Sequence, residues 1–88
     1  MNRAEILDNA KELIYGQRQE DYGSPQDNFK RIADMWSVIL EKEVTEAQVA
    51  LCMASLKMAR LVNTPNHLDS YVDAAGYMAL AGELANDD

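Results

Sequence analysis

The sequence predicts an all-α fold: a single four-helix bundle-like domain over residues 1–88. Three observations predict it. Apolar residues recur at three- and four-residue spacing through most of the chain, which is the period of a helix buried on one side. The strings SPQD at 24–27 and TEAQ at 45–48 have the form of helix starts, with a Ser or Thr cap and an Asp or Gln three residues on. No segment alternates apolar and polar residues as a half-buried strand would, so no sheet competes.

The first helix is predicted from about Arg3 to Tyr15. Ile6, Leu7, Ala10, Leu13 and Ile14 share a stripe, Glu5, Asp8 and Glu12 lie opposite, and Gly16 is placed as its stop. The second follows the Ser24 cap, with Pro25 at the first helical position, where its missing N–H costs nothing. Phe29, Ile32, Ala33, Trp36, Ile39 and Leu40 form its stripe, and it ends around Glu41 to Glu43.

The third helix starts at Thr45. Val49, Leu51, Cys52, Met53, Leu56, Met58 and Leu61 go nearly all the way round it, the pattern of a helix buried on more than one side. Within that run the single Cys52 reads as a small core residue. NTPN at 63–66 breaks the chain, and the fourth helix runs from about His67 to Ala85, again apolar on two sides, before the polar tail at 85–88. Two such helices carry more apolar surface than 88 residues can cover. The expectation is therefore a homo-oligomer, a dimer or higher, formed through helices 3 and 4.

Composition narrows the function classes. One cysteine rules out an intrachain disulfide, and the absence of a leader pattern or an apolar run of membrane length predicts a soluble cytoplasmic protein with no membrane partner. The net charge of −7 argues against a nucleic-acid polymer as partner, because phosphate-backbone binding needs clustered cations. It leaves room for a small nucleotide carried with a divalent cation.

Asp69 and Asp73 are the sharpest chemical signal. They stand at i and i+4, so both carboxylates share a helix face that continues through Gly76, Leu80 and Leu84. Two acids at the head of an apolar stripe need something positive between them. Mg²⁺ is one answer, since it takes carboxylate oxygens and keeps waters for a phosphate ligand. A salt bridge to Lys57 and Arg60 on the preceding helix is the other. Those two cations are phosphate ligands on the first reading and structural partners on the second. Asn28 and Arg31 lie on a flank of the second helix and either read a base or phosphate or are simply solvated. Trp36, Tyr71 and Tyr77 fall at core or interface positions, and His67 stands near a helix start, where capping or exposure is expected. The stretch RQEDYGSPQDNF at 18–29 holds more than a connector needs: Arg18, Asp21 and Tyr22 sit in it without serving a helix stripe.

The strings GQRQEDYGSPQDNFKRIADMW, LKMARL and PNHLDSYVDAAGY resemble the pattern of the DUF6378 family of small phage and prophage proteins over nearly the whole chain. Gln17 stands where that pattern usually has Asp. More loosely, DYG followed by DSYVDAAGY resembles the nucleotide-modification-associated proteins of phage. These in turn are similar to the all-α NTP pyrophosphohydrolases of the MazG and dimeric dUTPase kind. That resemblance implies a nucleotide-binding protein and a Mg²⁺-dependent conversion of NTP to NMP and pyrophosphate. Asp69 and Asp73 would be metal-binding and catalytic, Lys57 and Arg60 would face the phosphates, and Arg18, Tyr22 and Asn28 would approach base or sugar, with Arg31 beside them. The superfamily's first acidic motif is E-x-x-E on an earlier helix, and no such motif is expected in this chain; Glu5 and Asp8 have the spacing but lie opposite the stripe of the first helix. Asp21 or Asp27 would have to complete the acid set. The alternatives are a non-catalytic nucleotide sponge and an acidic inhibitor of a host protein, the latter suggested by the charge and by the acid face of the first helix.

Overall fold

The computed structural model describes residues 1–16 and 24–86. Four helices account for almost all of them: α1 (Arg3–Tyr15), α2 (Pro25–Leu40), α3 (Glu46–Asn63) and α4 (Leu68–Ala85). The boundaries agree with the periodicity to within a residue or two, and no strand occurs among the described residues.

Each start has a chemical cause. The Ser24 hydroxyl accepts from the Asp27 N–H at 3.1 Å, and Pro25 opens α2. The Thr45 hydroxyl accepts from the Gln48 N–H at 3.1 Å while the Gln48 amide accepts from the Thr45 N–H at 3.0 Å, so two otherwise orphaned donors are satisfied reciprocally. Asn2 and Glu5 make a second capping box at the start of α1. Glu41 ends α2 in the left-handed region, φ 53° and ψ 42°, with its N–H returned to Ser37 and Val38 carbonyls. Ser37 secures the turn that follows. Its hydroxyl donates to the Ala33 carbonyl at 2.7 Å and accepts from the Val44 N–H at 2.9 Å.

α3 and α4 form a hairpin at the centre of the molecule, closed by residues 64–67. α1 lies along α4, where Ile14, Ala10 and Leu13 meet Gly76; a Cβ built at Gly76 would stand 3.3 Å from Ile14 Cγ2. α2 lies along α3. Its Phe29 and Ala33 pack with Val49, Ala50 and Ala81, and the Phe29 ring sits 6.0 Å from that of Tyr77. α1 and α2 therefore cover one side of the hairpin.

The opposite side is bare. The buried apolar core is Ala10, Phe29, Ala33, Val49, Ala50, Ala54, Val72 and Ala81, five of the eight being alanine. Many of the large residues lie outside it. Leu7, Ile39 and Leu40, placed by periodicity on core stripes, are exposed, and so are Leu51, Leu56 and Met58 on α3. Cys52 is exposed as well and is not the core residue that its apolar neighbours suggested. The stripes on α1 and α2 are wider than the helices that cover them, and the residues at their edges stay in contact with water. Among the described residues, no helix is long and apolar enough to cross a membrane.

Candidate functional site

The antiparallel hairpin brings the C-terminal turns of α3 beside the N-terminal turns of α4. This places the sequence-predicted cations next to the predicted acids. Lys57 Nζ lies 3.1 Å from Asp73 Oδ2, and the two side chains are 15% and 21% exposed. Arg60, one turn further along α3, is exposed and makes no ion pair among the described residues. Its helical stripe runs through Val49, which is buried, so the period alone would bury it too. Leu56 on the same stripe is also 46% exposed.

Asp69 stands in the first turn of α4, exposed and without an ion pair among the described residues. There it complements the partial positive charge of the helix start. One turn later Asp73 points inward to Lys57. The two carboxylates share a face, as their spacing requires, but they differ in setting: one is solvated, the other held.

The turn between the helices is itself tied down. His67 occupies the cap position of α4 without a side-chain bond to the backbone. Its Nδ1 lies 2.8 Å from the Ser70 hydroxyl, which is 1% exposed. The Tyr71 hydroxyl donates to the Pro65 carbonyl at 2.9 Å. Together these bonds fix the angle at which α4 leaves the turn, and with it the direction of Asp69 and Asp73.

Two of the remaining predicted residues lie on α2. Asn28 is half-buried and Arg31 exposed on α2. Arg18, Asp21 and Tyr22 lie outside the described residues. Glu5, Asp8 and Glu12 face solvent on α1, as the helical period predicts. Contrary to the expectation that the chain has no E-x-x-E, one does occur, Glu43 to Glu46. It straddles the Thr45 cap, with Glu43 in the loop and Glu46 opening α3. Eleven residues separate Glu46 from Lys57 along α3, about 16 Å of helix, so this pair of acids belongs to the other end of the hairpin.

No group of three or more His, Cys, Asp or Glu side chains that could hold a metal occurs among the described residues. Mg²⁺ prefers an octahedral oxygen shell with one or two carboxylates and a phosphate ligand. Here the described acids at this end are two, and one already carries a cationic partner. On its own, that donor set does not fit the two-metal clamp of in-line phosphate cleavage.

The family model described as a domain of unknown function, DUF6378, matches residues 5–85. The chain belongs to the DUF6378 family. Two phage proteins are similar to this DUF6378 chain. The Gene 55 protein of Mycobacterium phage D29 is 47% identical over 72 residues, covering 82% of this chain and 48% of the relative. The Gene 55 protein of Mycobacterium phage L5 is 44% identical over 80 residues, covering 90% of this chain and 51% of the relative. The DUF6378 chain thus spans about half the length of the curated relatives it matches. No solved structure gives a significant match.

Proposed function

We propose that this protein binds a nucleotide, in the host cytoplasm, at the end of the hairpin where α3 finishes and α4 begins. The observation that carries the reading is Arg60. It is a fork-shaped cation, solvent-accessible and without an ion pair among the described residues, one turn from the Lys57–Asp73 pair. A guanidinium can take two phosphate oxygens at once, and a phosphate is the common partner that such a group finds in solution. Asp69 supplies a second exposed acceptor at the same end, suited to a ribose hydroxyl or to a divalent cation carried by the nucleotide. The looser likeness to all-α NTP pyrophosphohydrolases supports the same ligand class.

Binding without turnover is the form of this reading that the described residues support. Asp73 is engaged by Lys57, so activating a water through Asp69 and Asp73 would first require that pair to open. The experiment is calorimetry with mono-, di- and triphosphate nucleotides, with and without Mg²⁺, followed by chromatography of the recovered ligand. Binding of at least one nucleotide, with the ligand recovered intact, is expected. Arg60→Ala should weaken it about tenfold or more, the cost of about 1.4 kcal/mol for a charge-assisted contact. Release of NMP and pyrophosphate would establish the catalytic form instead. No binding by any nucleotide in the panel would overturn the proposal.

A further inference from the structure

The bare side of the hairpin carries more information than exposure alone. On α3, Leu51, Ser55, Met58 and Val62 are all exposed and follow one another at spacings of four, three and four residues. This is the seam spacing of two helices packed along their length. On α4, Leu68, Tyr71 and Met78 are exposed on the side away from Gly76 and Tyr77, which meet α1 and α2. The α3 stripe is an exposed apolar seam running along most of that helix.

The chain as a whole exposes more surface than a compact monomer of its mass. A folded monomer of 9.9 kDa is expected to expose about 5,200 Å², whereas this chain exposes 6388 Å². The excess over the whole chain, about 1,200 Å², leaves room for a standard interface, which takes ~800 Å² from each partner. The radius of gyration agrees: 13.5 Å against about 12 Å for a compact chain of this length.

We infer that a second copy of this chain covers the exposed face of α3, with α3 packed antiparallel against its own copy. The seam is self-complementary under a two-fold axis, as an isologous interface requires. With the axis near Leu56 and Lys57, Leu51 meets Val62 of the copy and Met58 meets Ser55 of the copy, so each large side chain faces a smaller one. Charge points the same way. At −7 per chain, two copies repel unless their acids stay out of the interface. The seam carries no charged side chain, and the only acid of α3 is Glu46 at its first residue. Glu5, Asp8, Glu12, Asp27 and Asp34 all lie on α1 and α2, across the hairpin. The inference does not depend on the nucleotide reading.

Light scattering and sedimentation of the full chain test it. The wild type is expected at twice 9.9 kDa. Met58→Glu with Val62→Glu should weaken the dimer at least ~100-fold while keeping the helical circular dichroism, because those side chains are 58% and 87% exposed in the protomer. Ser55→Arg, which adds bulk and charge at the seam's centre without removing apolar surface, should dissociate it too. Leu7→Glu, at a position 63% exposed on α1, should leave it intact. A wild type that stays at 9.9 kDa overturns the inference and assigns the face to another chain. So does a dimer that survives both seam variants, or one that only Leu7→Glu dissolves.

Discussion

Lys57 Nζ and Asp73 Oδ2 lie 3.1 Å apart between α3 and α4, with most of both side chains withdrawn from water. The pair joins the two longest helices near the turn that links them. Its setting decides its worth. An exposed pair contributes little because water screens it, whereas a shielded pair leaves a poorly solvated charge behind when one member is removed.

The first prediction follows from that contrast. A double-mutant cycle with Lys57→Met and Asp73→Leu should give a coupling energy of about 1–2 kcal/mol in urea unfolding. The same cycle on Lys30 and Asp34, 3.5 Å apart and 66% and 71% exposed, should give about 0.3 kcal/mol. Equal coupling for the two pairs would mean that water reaches Lys57 and Asp73 as freely as it reaches the α2 surface.

Nucleotide affinity should depend on the two cations differently. Arg60→Ala removes a solvent-facing ligand and should raise Kd without altering the unfolding midpoint. Lys57→Met should lower the midpoint as well, because it strands Asp73. Raising salt should weaken binding to the wild type more than to Arg60→Ala, since screening acts on the charge that the variant lacks. Titrations at two salt concentrations, run beside urea melts of the ligand-free variants, separate these outcomes. An identical salt response in both proteins would move the phosphate contact away from Arg60.

The turn between α2 and α3 makes two opposite forecasts at neighbouring positions. Ser37→Ala leaves the Val44 N–H without its 2.9 Å acceptor and should cost about 1–2 kcal/mol. Glu41 holds φ at 53°, where a side chain is strained and glycine is not. Glu41→Gly should therefore stabilise the fold by up to about 1 kcal/mol, less the extra freedom that glycine gives the unfolded chain. Urea midpoints measure both. A destabilised Glu41→Gly would show that the side chain makes a contact worth more than the backbone strain.

These particulars show where sequence and structure part company. Helix starts were legible because a cap is a local event: Thr45 and Gln48 satisfy each other within four residues. Stripe edges were not. Periodicity places Ile39, Leu40 and Cys52 on apolar faces, but burial depends on a neighbour that another part of the chain must supply. Phe29 and Ala33 have one in Val49 and Ala50; Ile39 and Leu40 do not. The site was legible in part for the same reason. The i, i+4 spacing of Asp69 and Asp73 follows from the helix alone. That Lys57 chooses Asp73 and leaves Asp69 to solvent follows from the register of the hairpin, which no local pattern records. Arg60 shares a helical stripe with Val49, yet Val49 is buried and Arg60 exposed, a difference the helical period does not record.

Gly76 carries the last prediction, because it sets how closely α1 approaches α4. In mid-helix a glycine gives up about 0.8–1 kcal/mol relative to alanine, so its presence needs a reason. The reason is space: a Cβ there would sit 3.3 Å from Ile14 Cγ2 and 3.9 Å from Leu13 Cδ2. One methyl asks Ile14 to yield a few tenths of an ångström, so Gly76→Ala should fall within about 0.5 kcal/mol of wild type as propensity and crowding offset. Gly76→Val adds two further carbons against the same side chains and loses the propensity gain. It should cost about 2 kcal/mol and raise amide exchange along α1 before it affects α3. Truncating the opposing side chain tests the cause. Combined with Ile14→Ala, Gly76→Val should lose much of its penalty. If the two changes are additive, the crowding at Gly76 comes from somewhere other than α1.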